Sequence, residues 1–568
     1  METVMVLWQL ETGNPQFLPH LTAAIRAIVV SPSGTLYGVR TSDNAAMVLS
    51  TANLEPTVSV QGIQLPGPPT PRSLSYPVTA LQSSGSLRIL FAAPATTDQS
   101  SASATYLQTV DASTGSTLGK QALTRTNVTD RNVNPEGVQL TEPNVALLEV
   151  SRDGKWLATV DQWVPPKQDL DYLALDEQEQ ESLQLSKMEI YLRFWSWNED
   201  SKTWELGARV DAPHLDANGA SSTTGRVYNV VSEPTNSGFI TFGSDNMAKF
   251  WAPKIRYRHG QEVHDAAGVG LKNWVCRATV PVPRPLSYAN ESTVSNVVAK
   301  MAVSADGSLL VIAQQTGAEV LVSLIDANSG SVCWSRKDLV TSSILSVGIV
   351  DRYLILLFKN ILIWDLVKDT VHRNLPLETS DVSEQSLRAD TQLAIDHQTG
   401  TFAVSTATSF AGKKPKGGKS LHALAIFDVK TASKLCSIDL SHPIQALIPA
   451  VQRKGYYYID SLANIRLITP SASFANELDA VPELEAPAAA ETIKSNILAN
   501  IIGNASAASA QKRILTKEIS HAAGAQHREV SQHDLSEIFA TATPYALPPI
   551  THMFEQVARL FVGKTTPV

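Results

Sequence analysis

Ala411 to Ser420 reads AGKKPKGGKS, four lysines and three glycines in ten residues, the composition of a loop that cradles phosphate. The phosphate-binding spacing G-x-x-x-x-G-K-[ST] is not met, because Gly412 and Gly418 enclose five residues and Gly417 is followed by a second glycine. The loop also leads into a strand-patterned segment, not into a helix whose N-terminus could hold an anion. Three readings stay open for Lys413, Lys414, Lys416 and Lys419: a solvated basic loop, a nuclear-import signal, or contact with an RNA backbone through charge alone. The last makes these four the candidate RNA-backbone contact.

His259 and His264 in HGQEVHD, and His521, His527 and His533 in HAAGAQHREVSQHD, lack H-E-x-x-H spacing and a neighbouring cysteine pair. They read as surface histidines, and no metal site is expected. Trp195, Trp197 and Trp204 in FWSWNEDSKTW read as packing between sheets rather than stacking on bases. There is no G-x-S-x-G elbow, no Gly-rich cradle and no carboxylate cluster with an evident partner. The expectation is a protein that is not an enzyme, with no catalytic residue, cofactor or small-molecule substrate.

The elements that carry these residues repeat. AIVVSPSGTLYGVR from Ala27, LEVSRDGKWLATV from Leu148, MAVSADGSLLVIA from Met301 and LAIDHQTGTFAVS from Leu393 each read strand, polar-glycine turn, strand. Glycine accepts the positive φ that a short hairpin turn needs. Weaker copies near Gly85, Gly238, Asp351 and Gly455 make eight candidate units. A third strand follows most of them, clearest in ILIWDLVKD, where Trp364-Asp365 is the dipeptide that ends the third strand of a WD blade. Four-stranded units repeated radially predict an all-β chain: a WD-type β-propeller of seven or eight blades over residues 24–471. A β-sandwich or a series of unrelated β domains is the alternative, and eight like units argue against both. Residues 1–23, with the strand-period segment Val4 to Gly13, are left as an orphan strand or the remnant of a preceding propeller. Pro165 to Lys187, with six carboxylates and two lysines, reads as an exposed loop, partly disordered or helical.

Past residue 471 the pattern changes. Residues 472–490 read as an acidic Ala- and Pro-rich linker, and 491–568 as an α-helical C-terminal assembly domain. In its last helix Met553, Phe554, Val557, Leu560 and Phe561 share a face too small to form a core alone, which makes it a candidate partner-docking helix. Net charge −8 argues against a uniformly basic nucleic-acid coat and leaves room for local contacts. Three well-separated cysteines, the lack of a signal peptide and the lack of an apolar run long enough to span a bilayer predict a reducing compartment, cytosol or nucleus, and no membrane.

VLWQLETGNPQFLPH, followed by AAIRAIVVSPSGTLYGVRTSDN and MVLSTANL, resembles the tandem-propeller WD-repeat subunits of the UtpA (t-UTP) subcomplex. DGKWLATVDQW with its acidic insert, EIYLRFWSWNEDSKTWEL and ILIWDLVKD add to the resemblance, which extends over essentially the whole chain. It implies a nucleolar scaffold of the small-subunit processome, acting in assembly on the pre-rRNA 5′ external transcribed spacer, early pre-rRNA processing, 18S rRNA maturation and coupling to RNA polymerase I transcription. Its partners would be other UtpA WD-repeat subunits, through the C-terminal helices, together with pre-rRNA and snoRNP components. Full members of that family carry a further propeller ahead of the VLWQLETG motif, so the chain is expected to lack one. A coat-type propeller and helix scaffold in membrane trafficking is the alternative; vesicle association would mark it.

Overall fold

The computed structural model describes most of residues 4–470; the longest stretches left out are 66–76, 95–104, 125–141, 216–224, 286–296, 378–386 and 408–421, and residues 471–568 lie outside it. The chain divides into two units, Met1–Ala486 and Pro487–Val568, and only the first contains described residues. The linker and helical segments expected after residue 471 therefore fall outside the description, as do Lys413, Lys414, Lys416 and Lys419.

The described chain is nearly all β. Six four-stranded antiparallel sheets, each in chain order, run from Val78–Ser83 to Thr117–Ala122, Asn144–Val150 to Thr203–Asp211, Val227–Ser232 to Lys272–Pro281, Val298–Val303 to Ser331–Arg336, Ser346–Val350 to Thr370–Pro376 and Gln392–Asp396 to Lys434–Leu440. A seventh, three-stranded, runs from Ile444–Pro449 to Ile465–Ile468. All eight hairpins read from the sequence are present as first and second strands. In three of the turns the same chemistry recurs: Gly34, Gly154 and Gly307 take positive φ, and the hydroxyls of Ser31, Ser151 and Ser304 each accept from the backbone N–H five residues on.

The first strands form the inner wall of a ring. Each neighbours the first strand of the next sheet, and Ile444–Pro449 returns to lie beside Val78–Ser83. At that seam Ile89, Phe91 and Val110 share one apolar cluster with Ala446, Ile448, Tyr457 and Ile459. Middle strands have a sheet on either face and are buried throughout, as in Tyr353–Leu357, so they read as continuous apolar runs. Each such Leu or Ile contributes about 1.5–3 kcal/mol. Fourth strands face water on one side and alternate, as in Ser331–Arg336.

The sheet Ile25–Val30 to Pro56–Gln61 stands ahead of this cycle, although its hairpin signal counted toward the ring in the sequence. Its Val39 and Leu49 instead pack with Met5, beside the small hairpin in which Val6–Trp8 pairs with Pro15–Phe17. The acidic insert forms a helix, Glu177–Ser186, capped by Asp176, whose carboxylate accepts from Glu179 N at 2.7 Å. Glu177 and Glu179 in its first turn complement the helix dipole. Gln184 fastens it to the ring side by donating to the Pro165 carbonyl at 2.8 Å.

Candidate functional site

Where the ring buries polar groups, it uses them to join elements. His214, fully buried in the loop before Val227–Ser232, places Nδ1 2.7 Å from Asp245 Oδ1 and Nε2 2.8 Å from Thr241 Oγ1. Trp251 Nε1 donates to the same Thr241 oxygen at 2.8 Å. The ionised Asp245 carboxylate can only accept, so neutral His214 carries its proton on Nδ1 and its Nε2 accepts from the Thr241 hydroxyl. Burial pushes the imidazole below its ordinary 6.5, against the pull of Asp245. Gly243 is required here, because a Cβ would overlap the His214 ring. The chain of donors ties a loop, the second strand, the tight turn and the third strand of one sheet together.

In the preceding sheet the same Trp–Thr pair recurs as Trp195 Nε1 to Thr159 Oγ1 at 3.1 Å. No histidine completes it. In the same sheet Arg193 places Nε 2.8 Å from Asp161 Oδ2 and donates from Nη1 to the Leu123 carbonyl at 2.8 Å, and burial pushes the Asp161 carboxyl up to about 7 against the pull of Arg193. Trp364 and Asp365 end the third strand Asn360–Asp365 as expected, and Asp365 accepts from the N–H groups of Val367 and Lys368, both at 3.1 Å. The His214 imidazole, the Thr241 hydroxyl and the Asp245 and Asp365 carboxylates are occupied with neighbouring groups, which is the chemistry of a brace.

Of the residues singled out in the sequence, Trp195 and Trp204 lie buried in the cluster between the first two ring sheets. His259 and His264 are exposed; His259 forms a hairpin turn with Gly260, and His264 lies 3.8 Å from Glu262. Among the described residues no group of three or more His, Cys, Asp or Glu side chains is placed to hold a metal ion, and Cys276, Cys333 and Cys436 are free thiols. No described helix is long and apolar enough to cross a membrane. Met553, Phe554, Val557, Leu560 and Phe561 lie outside the described residues.

No family model matches the chain. It is 27% identical over 261 residues to U3 small nucleolar RNA-associated protein 17 of Schizosaccharomyces pombe, a stretch covering 44% of this chain and 30% of that protein. It is 24% identical over 345 residues to NET1-associated nuclear protein 1 of Saccharomyces cerevisiae, covering 54% and 34%, and 23% identical over 259 residues to WD repeat-containing protein 75 of Xenopus laevis, covering 45% and 26%. The resemblance to the UtpA WD-repeat subunits holds. The matched stretches take in between 26% and 34% of the relatives' own lengths. Among solved structures, the chain is similar to the β-propeller domain of Cps50 (Swd1) from Myceliophteria thermophila, at 10% identity and TM-score 0.33 over 79% of this chain and 97% of that one. Chaetomium thermophilum Raptor is another, at 14% identity and TM-score 0.39 over 72% and 28%. Likenesses at this level add nothing to the strand order already described.

Proposed function

We propose that this chain is a non-enzymatic scaffold of the small-subunit processome, at work in the nucleolus. In this reading it assembles on the 5′ external transcribed spacer of pre-rRNA, supports early processing and 18S rRNA maturation, and couples them to RNA polymerase I transcription. The observation that carries it is the likeness to a protein named for its association with U3 small nucleolar RNA, joined to a repeat-built ring whose buried polar groups brace sheets. A ring of this kind offers a rigid rim to several partners at once. The segment 491–568, through Met553, Phe554, Val557, Leu560 and Phe561, docks on sister WD-repeat subunits, and Lys413, Lys414, Lys416 and Lys419 touch RNA phosphates.

The test is affinity purification of the tagged full-length chain from cells, with RNA and protein read out together. U3 RNA, spacer-containing pre-rRNA and sister WD-repeat subunits should co-purify, and a chain ending at residue 490 should lose the sister subunits. Recovery of vesicle-coat proteins without these RNAs would overturn the scaffold reading. Unchanged subunit recovery after truncation would overturn the docking role of the tail.

A further inference from the structure

The third ring sheet carries an arm. Its second strand, Phe239–Gly243, ends opposite Trp251, yet its third strand continues to Ile255 and its fourth begins at Lys272. Ala252 to Ile255 thus pair only with Lys272 to Val275, as a two-stranded ribbon whose Trp274 still stacks on Phe194 of the preceding sheet. The ribbon is prolonged by backbone bonds from Arg256 N to Leu271 O at 2.8 Å, Val263 N to Arg256 O at 2.9 Å and Leu271 N to Val263 O at 2.7 Å. It ends in the hairpin Tyr257–Arg258 to Gln261–Glu262. Its two-residue turn has His259 at φ 52° and Gly260 at φ 78°, the mirror-image turn whose twist matches that of the strands it joins.

Strand alternation puts Lys254, Arg256 and Arg258 on one face and Ile255 and Tyr257 on the other. The three cations repeat every two residues, about 6.6–6.8 Å apart. All three are exposed, and none has an ion pair or hydrogen bond from its side chain among the described residues. Four other arginines of the ring are tethered by carboxylates: Arg209 to Asp211, Arg277 to Glu233, Arg336 to Asp338 and Asp369, and Arg352 to Asp365. The ribbon's described carboxylate, Glu262, sits opposite Tyr257, on the other face, 3.2 Å from the Tyr257 hydroxyl and 3.8 Å from His264. In a chain of net charge −8, three exposed cations on one face with no ion-pair partner among the described residues are a segregated charge.

We infer that the face of this ribbon carrying Lys254, Arg256 and Arg258 is an RNA-backbone contact in which the three cations meet consecutive phosphates of one strand. The inference rests on the RNA-scaffold reading above. Cations at every second position of a two-stranded ribbon match a polyanion whose charges repeat along a line, and the two guanidinium forks can each take two phosphate oxygens. The contact carries no base-edge readout, so it is indifferent to sequence and weakens with salt as counterions are released.

The experiment titrates a fluorescent single-stranded RNA of mixed sequence with the full-length protein at several salt concentrations. Three proteins are compared: the unaltered chain, the charge-removing triple Lys254→Gln, Arg256→Gln and Arg258→Gln, and the charge-keeping triple Lys254→Arg, Arg256→Lys and Arg258→Lys. Removing three phosphate contacts should make the slope of log affinity against log salt shallower by about two and cost roughly tenfold in affinity at low salt. The charge-keeping triple should retain the slope. An unchanged slope in the charge-removing triple, with binding lost instead when Lys413, Lys414, Lys416 and Lys419 are replaced, would overturn the arm and leave the RNA reading standing. An unaltered chain that binds no RNA would overturn both. Loss of binding to polyglutamate, but not to RNA, in the charge-removing triple would make the arm a contact for acidic protein and overturn the inference.

Discussion

Glu149 sits where three first strands meet, its Oε1 accepting from Ser232 Oγ at 3.1 Å and its Oε2 3.5 Å from Thr79 Oγ1. Burial pushes its pKa from the ordinary 4.5 up to about 7, against the pull of those hydroxyls. The folded protein thus holds a proton that the unfolded chain releases near pH 4.5. Its contribution to stability is full below that pH and is lost as pH rises through about 7. Urea unfolding between pH 5 and 8 should therefore show stability falling by roughly 1–3 kcal/mol from this group, and Glu149→Gln should flatten the fall; an unchanged profile would count against a buried proton here. None of this was legible in the sequence, because Thr79, Glu149 and Ser232 come together only when the ring is assembled. His214 was missed for the same reason: 27 residues separate it from Thr241 and 31 from Asp245.

At the scale of the element, the hairpins were legible because a turn is written in adjacent residues: a serine hydroxyl and a positive-φ glycine suffice. The ring's first sheet was not. Ser31 to Gly34 fold as Ser151 to Gly154 and Ser304 to Gly307 do, and no turn records which sheet will pack on its strands. The arm was hidden likewise, because the excess length of the third strand shows only against the second. Glycine inside strands divides along the same line. A Cβ on Gly348, in Ser346–Val350, would overlap Ile395 Cδ1 of the next sheet, whereas Gly119, in the outer strand Thr117–Ala122, has nothing within 4 Å. Gly348→Ala should cost about 1–3 kcal/mol, and Gly119→Ala should be neutral or gain about 0.5–1 kcal/mol. Thermal and urea unfolding of the two variants would check both; equal effects would mean that the fifth and sixth sheets do not approach this closely.

For the whole molecule the decisive contact is the seam. Ile459 belongs to it, while Ile363 lies between the fifth and sixth sheets, and each is at most 1% exposed. If the closed ring persists in solution, Ile459→Ala and Ile363→Ala each cost about 2–5 kcal/mol. Urea denaturation that found Ile459→Ala nearly silent would show the ring open at this joint.

The seam also sets a timetable. Every other sheet can pack on the one made just before it, but Ile89 and Phe91 must wait for Ile448 and Ile459. At the usual pace of translation, the roughly 360 residues between them keep the ribosome busy for tens of seconds. Through that interval the ring's first sheet holds an apolar face without its final cover, so the nascent chain is most in need of a chaperone before its last sheet emerges.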